Sequence, residues 1–383
     1  MKVLFTASVM GHLTGFHVPY MQYFKDRGFS VHIACGAGEA PVCADRHFVI
    51  SFERSPFKLK NITAYRALKK VIRENDYDII HCHTPVASVL TRLAARRARK
   101  RGTVVIYTAH GFHFYAGAPR SAFVYRAVEK WLSRYTDILI TINEEDSAAV
   151  SRYGFRPALG AYKVSGVGVD GTRFHPQTPE SRRAAREQNG IPADAFVLIF
   201  AAEYNRNKNQ AMLLRAVSLL KDRIPDILLL LPGEGPLRAE YERLAAELKI
   251  SGQVRLLGYR TDMDTLLAAA DVAVSSSRRE GLPINVVEAM LSGLPVVATR
   301  IRGHIDLEND GETGFLVPPD DAPAMAEKLL ALYNSPQLRH EMGQKAVTAA
   351  QPYRLENAQA ETFRIYERAL MTKTIGSRAG GEI

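Results

Sequence analysis

Residues 279 to 289 read Arg-Glu-Gly-Leu-Pro-Ile-Asn-Val-Val-Glu-Ala, which sets Glu280 and Glu288 eight positions apart around a helix start marked by Gly281 and Pro283. The first N–H groups of a helix have no intrahelical acceptor and the helix dipole favours negative charge there, so a phosphate suits the space in front. One carboxylate sits in the loop and the other about a turn inside the helix, where each can accept hydrogen bonds from sugar hydroxyls. A phosphate beside hydroxyls describes a nucleotide sugar.

Other residues offer chemistry less specifically. The stretch Ser8-Val-Met-Gly-His-Leu-Thr-Gly15 reads as a loop after the first strand, with Gly11 and Gly15 where a ligand could approach the backbone. Its glycines do not follow the G-x-G-x-x-G spacing of a dinucleotide site. Two Asp-x-Asp triplets, Asp76-Tyr-Asp78 and Asp262-Met-Asp264, have the form of a carboxylate metal site. The first precedes a strand and the second reads as a helix start, where aspartates act as caps. Neither is taken as a metal site, and no metal or cofactor is expected. Cys35, Cys43 and Cys82 are odd in number and lack zinc-ligand spacing, so they read as free thiols.

These residues need elements to position them. A chain of 383 residues exceeds one core and divides into two domains. Short apolar runs alternate with helical patterns, from Val3 to Ala7, Val31 to Ala34, Ile79 to Cys82, Val104 to Thr108 and Ile138 to Ile142. The alternation restarts with Phe196 to Ala201, Ile227 to Leu231, Val254 to Leu257, Val272 to Ser275, Val296 to Ala298 and Gly314 to Val317. Such alternation implies parallel sheets, so the expected fold class is α/β with two Rossmann-like domains facing across a deep cleft. The boundaries predicted are 1–166 for a first Rossmann-like domain and 167–356 for a second that carries the nucleotide-sugar motif, with a linker around 167–179. Residues 357–383 supply a last helix, ending near Met371 and packing back on the first domain, and a frayed tail. In open parallel sheets ligands bind beyond the carboxyl ends of the strands, which places function in those loops.

The net charge of +10 is uneven: 24 basic and 12 acidic residues lie up to Gly168, against 26 and 28 afterwards. Arg92, Arg96, Arg97, Arg99, Lys100 and Arg101 follow apolar positions at helical spacing and read as a cationic helix face. That face suits an anionic membrane surface. Nucleic acid is not expected, since no recognition fold accompanies the charge. No apolar run approaches the ~20 residues of a membrane span, nor does the N-terminus carry a signal peptide's apolar core, so the expected location is the cytoplasm, peripheral to the membrane at most.

On these residues the chain resembles the retaining glycosyltransferases of family four, which have the two-domain GT-B architecture. The resemblance runs through the Gly11 segment, Leu257-Gly-Tyr259, Glu280 to Glu288, Ser292-Gly-Leu-Pro-Val-Val-Ala298 and Gly311-Glu-Thr-Gly-Phe-Leu-Val317. His81-Cys-His-Thr-Pro85 and Thr108-Ala-His-Gly-Phe-His-Phe-Tyr-Ala-Gly-Ala-Pro119 resemble the bacterial subgroup that builds exopolysaccharide, capsule or lipid-linked oligosaccharides. The resemblance implies a UDP-sugar donor and a saccharide acceptor carried on polyprenyl diphosphate.

It also implies roles. Glu288 would accept from ribose hydroxyls and Glu280 from the donor sugar. Lys208, in Glu203-Tyr-Asn-Arg-Asn-Lys208, would neutralise the diphosphate, and a cation there stabilises charge on the leaving group. Relatives carry an arginine where this chain has Glu203, with Arg206 as the candidate substitute. His110 would lie beside the donor sugar with its backbone near the anomeric carbon. Gly258 and Tyr259 would read the base; Gly11, Gly281 and Leu282 would line the donor, and the glycines of Gly233-Glu-Gly-Pro236 would shape the cleft. His12, His17 and His113 are acceptor-side candidates, while Asp306 stands where relatives have glutamate. Two competing readings are a UDP-sugar epimerase of the same architecture and a non-catalytic nucleotide-sugar-binding partner.

Overall fold

Thirteen strands form two parallel sheets in the computed structural model, which describes residues 1–379 apart from 54, 56 and 57. The chain separates into two units: Met1–Val167 with Glu356–Ile383, and Gly168–Leu355. In the first unit β1 (Lys2–Thr6), α1 (Met10–Phe16), α2 (Val18–Lys25), β2 (Ser30–Cys35), β3 (Arg46–Val49), α3 (Lys60–Asn75) and β4 (Ile79–Cys82) are followed by α4 (Pro85–Ala94) and α5 (Arg96–Lys100). Then come β5 (Val104–Ala109), α6 (Phe123–Ser133), β6 (Ile138–Thr141), α7 (Glu144–Arg152) and β7 (Gly160–Lys163). The sheet order is β3-β2-β1-β4-β5-β6-β7. Its order reverses between β1 and β4, and at such a switch point the loops leaving two neighbouring strands diverge and open a crevice.

The second unit runs α8 (Pro179–Gln188), β8 (Phe196–Ile199), α9 (Gln210–Leu220), β9 (Ile227–Pro232), α10 (Arg238–Glu247), β10 (Val254–Gly258) and α11 (Met263–Ala269). It continues with β11 (Val272–Ser275), α12 (Ile284–Leu291), β12 (Val296–Thr299), α13 (His304–Leu307), β13 (Gly314–Val317), α14 (Ala322–Asn334) and α15 (Pro336–Ala350). Its strands are ordered β10-β9-β8-β11-β12-β13, so the switch point falls between β8 and β11. The final helix, α16 (Leu355–Ala379), belongs to the first unit from Glu356 onward.

Helices cover both faces of each sheet, so the inner strands are apolar on both sides; β9, Ile-Leu-Leu-Leu-Leu-Pro, is buried throughout. The core of the second unit joins Leu198, Leu229 and Val274 to Leu213, Val217 and Met325 of the covering helices. In the first unit Leu4, Ile80 and Val105 pack with Leu68, Ile72 and Ala87. Side-chain caps fix several helix starts: Asn143 accepts from the Asp146 N–H, and Thr178, Asp321 and Ser335 cap α8, α14 and α15. The chain enters and leaves the second unit side by side, with the Val169 N–H donating to Tyr353 O and the Leu355 N–H donating to Val169 O.

Several elements differ from the sequence expectation. β3 and β7, the two edges of the first sheet, carry no apolar run; their residues are all exposed or half-buried, as on an open edge. Residues 10–16 form α1, so Gly11 and Gly15 lie in a helix that starts three residues after β1. The helix expected to end near Met371 continues to Ala379, and the last four residues lie outside the described ones. It packs on the first unit through Phe363 stacked on Tyr23 at 4.1 Å and Tyr366 bonded to His81. Asp262 precedes α11 but makes no capping bond, because Arg260 holds its carboxylate; Asp264 pairs with Arg173 at 2.9 Å. Asp78 accepts from the Lys2 N–H, and Asp76 lies 3.7 Å from Arg101.

The expected cationic face also changes. Arg92 is buried, paired with Glu129 at 2.9 Å and stacked over Tyr107 at 4.0 Å. Its stem lies on the inward face of α4, and the guanidinium finds a carboxylate there; a buried arginine needs such a partner. Arg99 pairs with Asp137. Arg96, Arg97, Lys100 and Arg101 remain exposed.

Candidate active site

In the second unit, the loop after β8 and the loop after β11 leave adjacent strands at the switch point. The first carries Lys208 and the second Glu280. Lys208 Nζ donates to Glu280 Oε1 at 2.6 Å, with both side chains largely withdrawn from solvent. Further bonds tie the loops together: the Arg278 N–H donates to Asn207 O, Asn207 Nδ2 to Arg279 O, and Ser276 Oγ to Lys208 O. Arg302 Nε donates to Glu280 O at 3.0 Å. The main chain of Glu280 is thus held by a third loop as well as by its own.

That third loop approaches closely because residue 303 is glycine. Gly303 has φ +84°, and a Cβ there would lie 2.7 Å from Gly281 O. The β9 exit behaves alike: a Cβ on Gly233 would lie 2.0 Å from Ala202 O, so glycine lets this turn pack against the Lys208 loop. Gly233 N–H donates to Gly258 O, and the adjacent Tyr259 ring is 76% exposed and open to stacking.

α12 begins at Ile284 with Pro283 before it and no side-chain capping bond. Glu288 lies on its second turn, and burial pushes its carboxyl up to about 7 while Arg173 draws it down. Leu282, in the loop before the helix, is buried. Beneath the lysine–glutamate pair sits His304, fully buried; its Nδ1 faces Thr299 O at 2.7 Å and its Nε2 has no partner among the described residues. Burial lowers its basicity, Glu280 opposes that, and Lys208 adds to it. His304 carries only a weak sequence signal, its place just after a strand and behind Gly303. Asp306 lies on α13, its carbonyl accepting from Tyr353 Oη at 3.2 Å. The Arg206 side chain is exposed, and its carbonyl accepts from Arg278, whose guanidinium pairs with Asp320 at 2.6 Å. The basic group that ties this loop down is therefore Arg278.

In the first unit, the ends of β1, β4 and β5 gather histidines. His12 lies on α1, His17 at the α1–α2 junction, His83 just after β4 and His110 just after β5. His12 Nε2 is 3.3 Å from His110 Nε2 and 3.2 Å from His17 Nε2. His83 Nδ1 is 3.2 Å from His110 Nε2. His83 stands two residues after His81, a period-two spacing that points both along one strand face and marks it as a site candidate in the sequence. The turn before α4 also holds Thr84 at φ +59°, bonded to Ser8, a strained non-glycine conformation at the switch point. Gly11 lies on the exposed face of α1 with open space around it, whereas His113 stands apart with its ring 5.2 Å from Tyr125. The structure therefore joins His12, His17 and His110, leaves His113 out, and adds His83.

Comparison with known proteins agrees with both halves. Residues 2–143 match the glycosyl transferase 4-like model and residues 181–348 match glycosyl transferases group 1. The candidate glycosyltransferase EpsD of Bacillus subtilis is 46% identical over 345 residues, 90% of each chain. An Escherichia coli UDP-Gal:alpha-D-GlcNAc-diphosphoundecaprenol alpha-1,3-galactosyltransferase is 27% identical over 74% of this chain and 73% of its own. Among solved structures, Anabaena HepE in complex with UDP and glucose superposes with a TM-score of 0.79 at 22% identity, covering 96% of this chain and all of that one, which bears on the fold. No helix among the described residues is long and apolar enough to cross a membrane. With glycosyltransferase models matched in both halves and a close relative spanning nine-tenths of its length, the chain belongs to the glycosyltransferases of the GT-B fold.

Proposed function

We propose that the protein is a retaining glycosyltransferase that moves a hexose or N-acetylhexosamine from a UDP-sugar to a saccharide carried on a lipid diphosphate, in bacterial surface polysaccharide synthesis. The observation that carries this reading is the Lys208–Glu280 pair at the switch point, beside a helix start that lacks a side-chain cap. Lys208 and the first amides of α12 meet the diphosphate and stabilise the charge that builds on it as the glycosidic bond breaks. No metal held between carboxylates is needed for that role. Glu280, already accepting from Lys208, has a second oxygen for the donor sugar's hydroxyls, and Glu288 accepts from the ribose.

Retention follows if the acceptor oxygen attacks the anomeric carbon on the face the diphosphate leaves. The departing phosphate oxygen takes the acceptor proton, so no covalent nucleophile is required. His110, at the end of β5, presents its main chain to the sugar, and His12, His17 and His113 lie on the acceptor side. UDP as the donor nucleotide draws support from the UDP complex of HepE, and a lipid-diphosphate acceptor from the E. coli relative's name.

Membrane delivery of the acceptor is supported by two neighbouring surfaces. Arg96, Arg97, Lys100 and Arg101 are exposed on and beside α5, and α6 exposes Phe123, Val124, Val128 and Trp131. Arg96 lies over Tyr135 and Trp131 packs edge-on against the same ring, so the basic and apolar groups adjoin. Cations beside exposed aromatics suit an anionic lipid surface. The decisive experiment is UDP release from a panel of UDP-sugars with and without lipid-diphosphate-linked saccharides. Acceptor-dependent release that disappears in Glu280→Gln and Lys208→Ala supports the reading; release without acceptor dependence, or none from any pair, overturns it.

A further inference from the structure

Four imidazoles from three segments of the first unit converge where its strand order reverses. One ring nitrogen from each of His12, His17, His83 and His110 lies within 4.8 Å of those of the other three. The close contacts form a row: His17 Nε2 to His12 Nε2 at 3.2 Å, His12 Nε2 to His110 Nε2 at 3.3 Å, and His110 Nε2 to His83 Nδ1 at 3.2 Å.

Protons alone do not satisfy that row. A ring nitrogen of a neutral imidazole carries either one proton or one in-plane lone pair. Any alternation of donors and acceptors leaves His12 Nε2 and His110 Nε2 each serving two neighbours with a single proton or a single lone pair. His83, which is fully buried, has in addition an Nε2 with no hydrogen-bond partner among the described residues. A single cation among the rings takes four lone pairs at once. Tetrahedral bonds of about 2.0–2.1 Å to imidazole nitrogen place donor atoms about 3.3–3.4 Å apart, and the three close contacts match that edge.

We propose that His12, His17, His83 and His110 form a binding site for one divalent first-row transition-metal ion of the zinc class. Imidazole donors suit zinc, copper, nickel and iron and do not suit magnesium or calcium, which take oxygen. His17 and His83 are buried and His12 and His110 half-buried, and an imidazole binds a metal ion through its neutral form. His81 does not compete: its Nδ1 meets Tyr366 Oη at 2.9 Å and its Nε2 meets Thr108 Oγ1 at 2.8 Å. Its ring packs 4.1 Å from that of His83 and holds it in place. The ion clamps the α1–α2 junction to the ends of β4 and β5. With its ring on the ion, His110 meets a sugar through its main chain. This site stands apart from the diphosphate chemistry and does not depend on the transferase reading.

The test uses untagged protein stripped with a chelator and titrated with zinc against a chromophoric competitor, and separately with cobalt, whose tetrahedral complexes absorb strongly in the visible. One ion per chain is expected, with the cobalt spectrum of a tetrahedral nitrogen site. Changes around a metal's ligands alone cost about 10–100-fold in affinity, so His12→Gln, which removes a half-buried ligand, is expected to cost at least about 100-fold with an unchanged circular dichroism spectrum. His83→Gln provides the second ligand variant, and the exposed His340→Gln is expected to bind as the parent does. Absence of stoichiometric uptake by the parent, or uptake unchanged in both ligand variants, overturns the proposal. Metal uptake without UDP release would sink the transferase reading and leave this site standing.

Discussion

Lys208 Nζ and Glu280 Oε1 lie 2.6 Å apart although 72 residues separate them in the chain. The pair joins the loops after β8 and β11, two strands that are neighbours in the sheet and distant in sequence. In the absence of a donor the ammonium and the carboxylate neutralise each other; a diphosphate at α12 would compete for the lysine and release carboxylate capacity for sugar hydroxyls.

Removing the cation should therefore strike catalysis more than folding. Lys208→Ala is expected to lower kcat by about 100- to 1000-fold, the scale of losing one preorganised group that meets developing charge. Lys208→Arg should recover part of it. Steady-state UDP release with unfolding curves for each variant checks this; a loss of stability that accounts for the loss of rate would refute it.

Glu288 makes a pH-dependent prediction. Its folded-state pKa is raised to about 7, so the native state keeps a proton that the unfolded chain gives up nearer the ordinary carboxyl range. The stabilising effect is full below that range and is lost as pH rises through about 7. Glu288→Gln keeps the shape without the charge, so it should gain about 1–3 kcal/mol relative to the parent between pH 5 and pH 8. Urea unfolding of both proteins at the two pH values measures this, and a constant difference would refute it. The buried Glu308, also pushed up to about 7 and with Oε1 unpartnered among the described residues, should behave the same way as Glu308→Gln.

Arg92 and the exposed arginines should separate by assay. Arg92→Ala leaves Glu129 buried without its cation and should cost about 3–5 kcal/mol of stability. Neutralising Arg96, Arg97, Lys100 and Arg101 together should leave stability nearly unchanged and weaken binding to anionic vesicles by about 1 kcal/mol per residue at low salt. Vesicle co-sedimentation that is indifferent to those four changes and to Trp131→Ser would remove this surface from the membrane reading.

Gly303 couples packing to the site. A side chain at φ +84° and 2.7 Å from Gly281 O must move the Glu280 loop. Gly303→Ala is expected to cost about 1–3 kcal/mol and to lower transfer by more than the stability loss explains. Equal activity at a temperature where both proteins are folded would show that the loop absorbs the change.

Much of this protein was legible in the sequence because the relevant signals are local. The inner strands of both sheets are short apolar runs, since helices cover both their faces, and β9 declares itself by composition alone. The Glu280–Glu288 spacing announced a helix start and two carboxylates, and the structure places them there. The edge strands β3 and β7 gave no such signal, because solvent on their open side removes the demand for apolar residues. Arg92 looked like its neighbours in sequence, and only the packing of α4 against Glu129 and Tyr107 shows it to be interior. His304 beneath the lysine–glutamate pair and His83 among the other histidines depend on which strands neighbour which. Local composition and spacing determined the inner strands, the fold class and the acidic motif, because secondary structure and capping are decided largely within a few residues. The company each side chain keeps was decided by the reversal of strand order between β1 and β4 and between β8 and β11, which brings loops from distant parts of the chain to one edge.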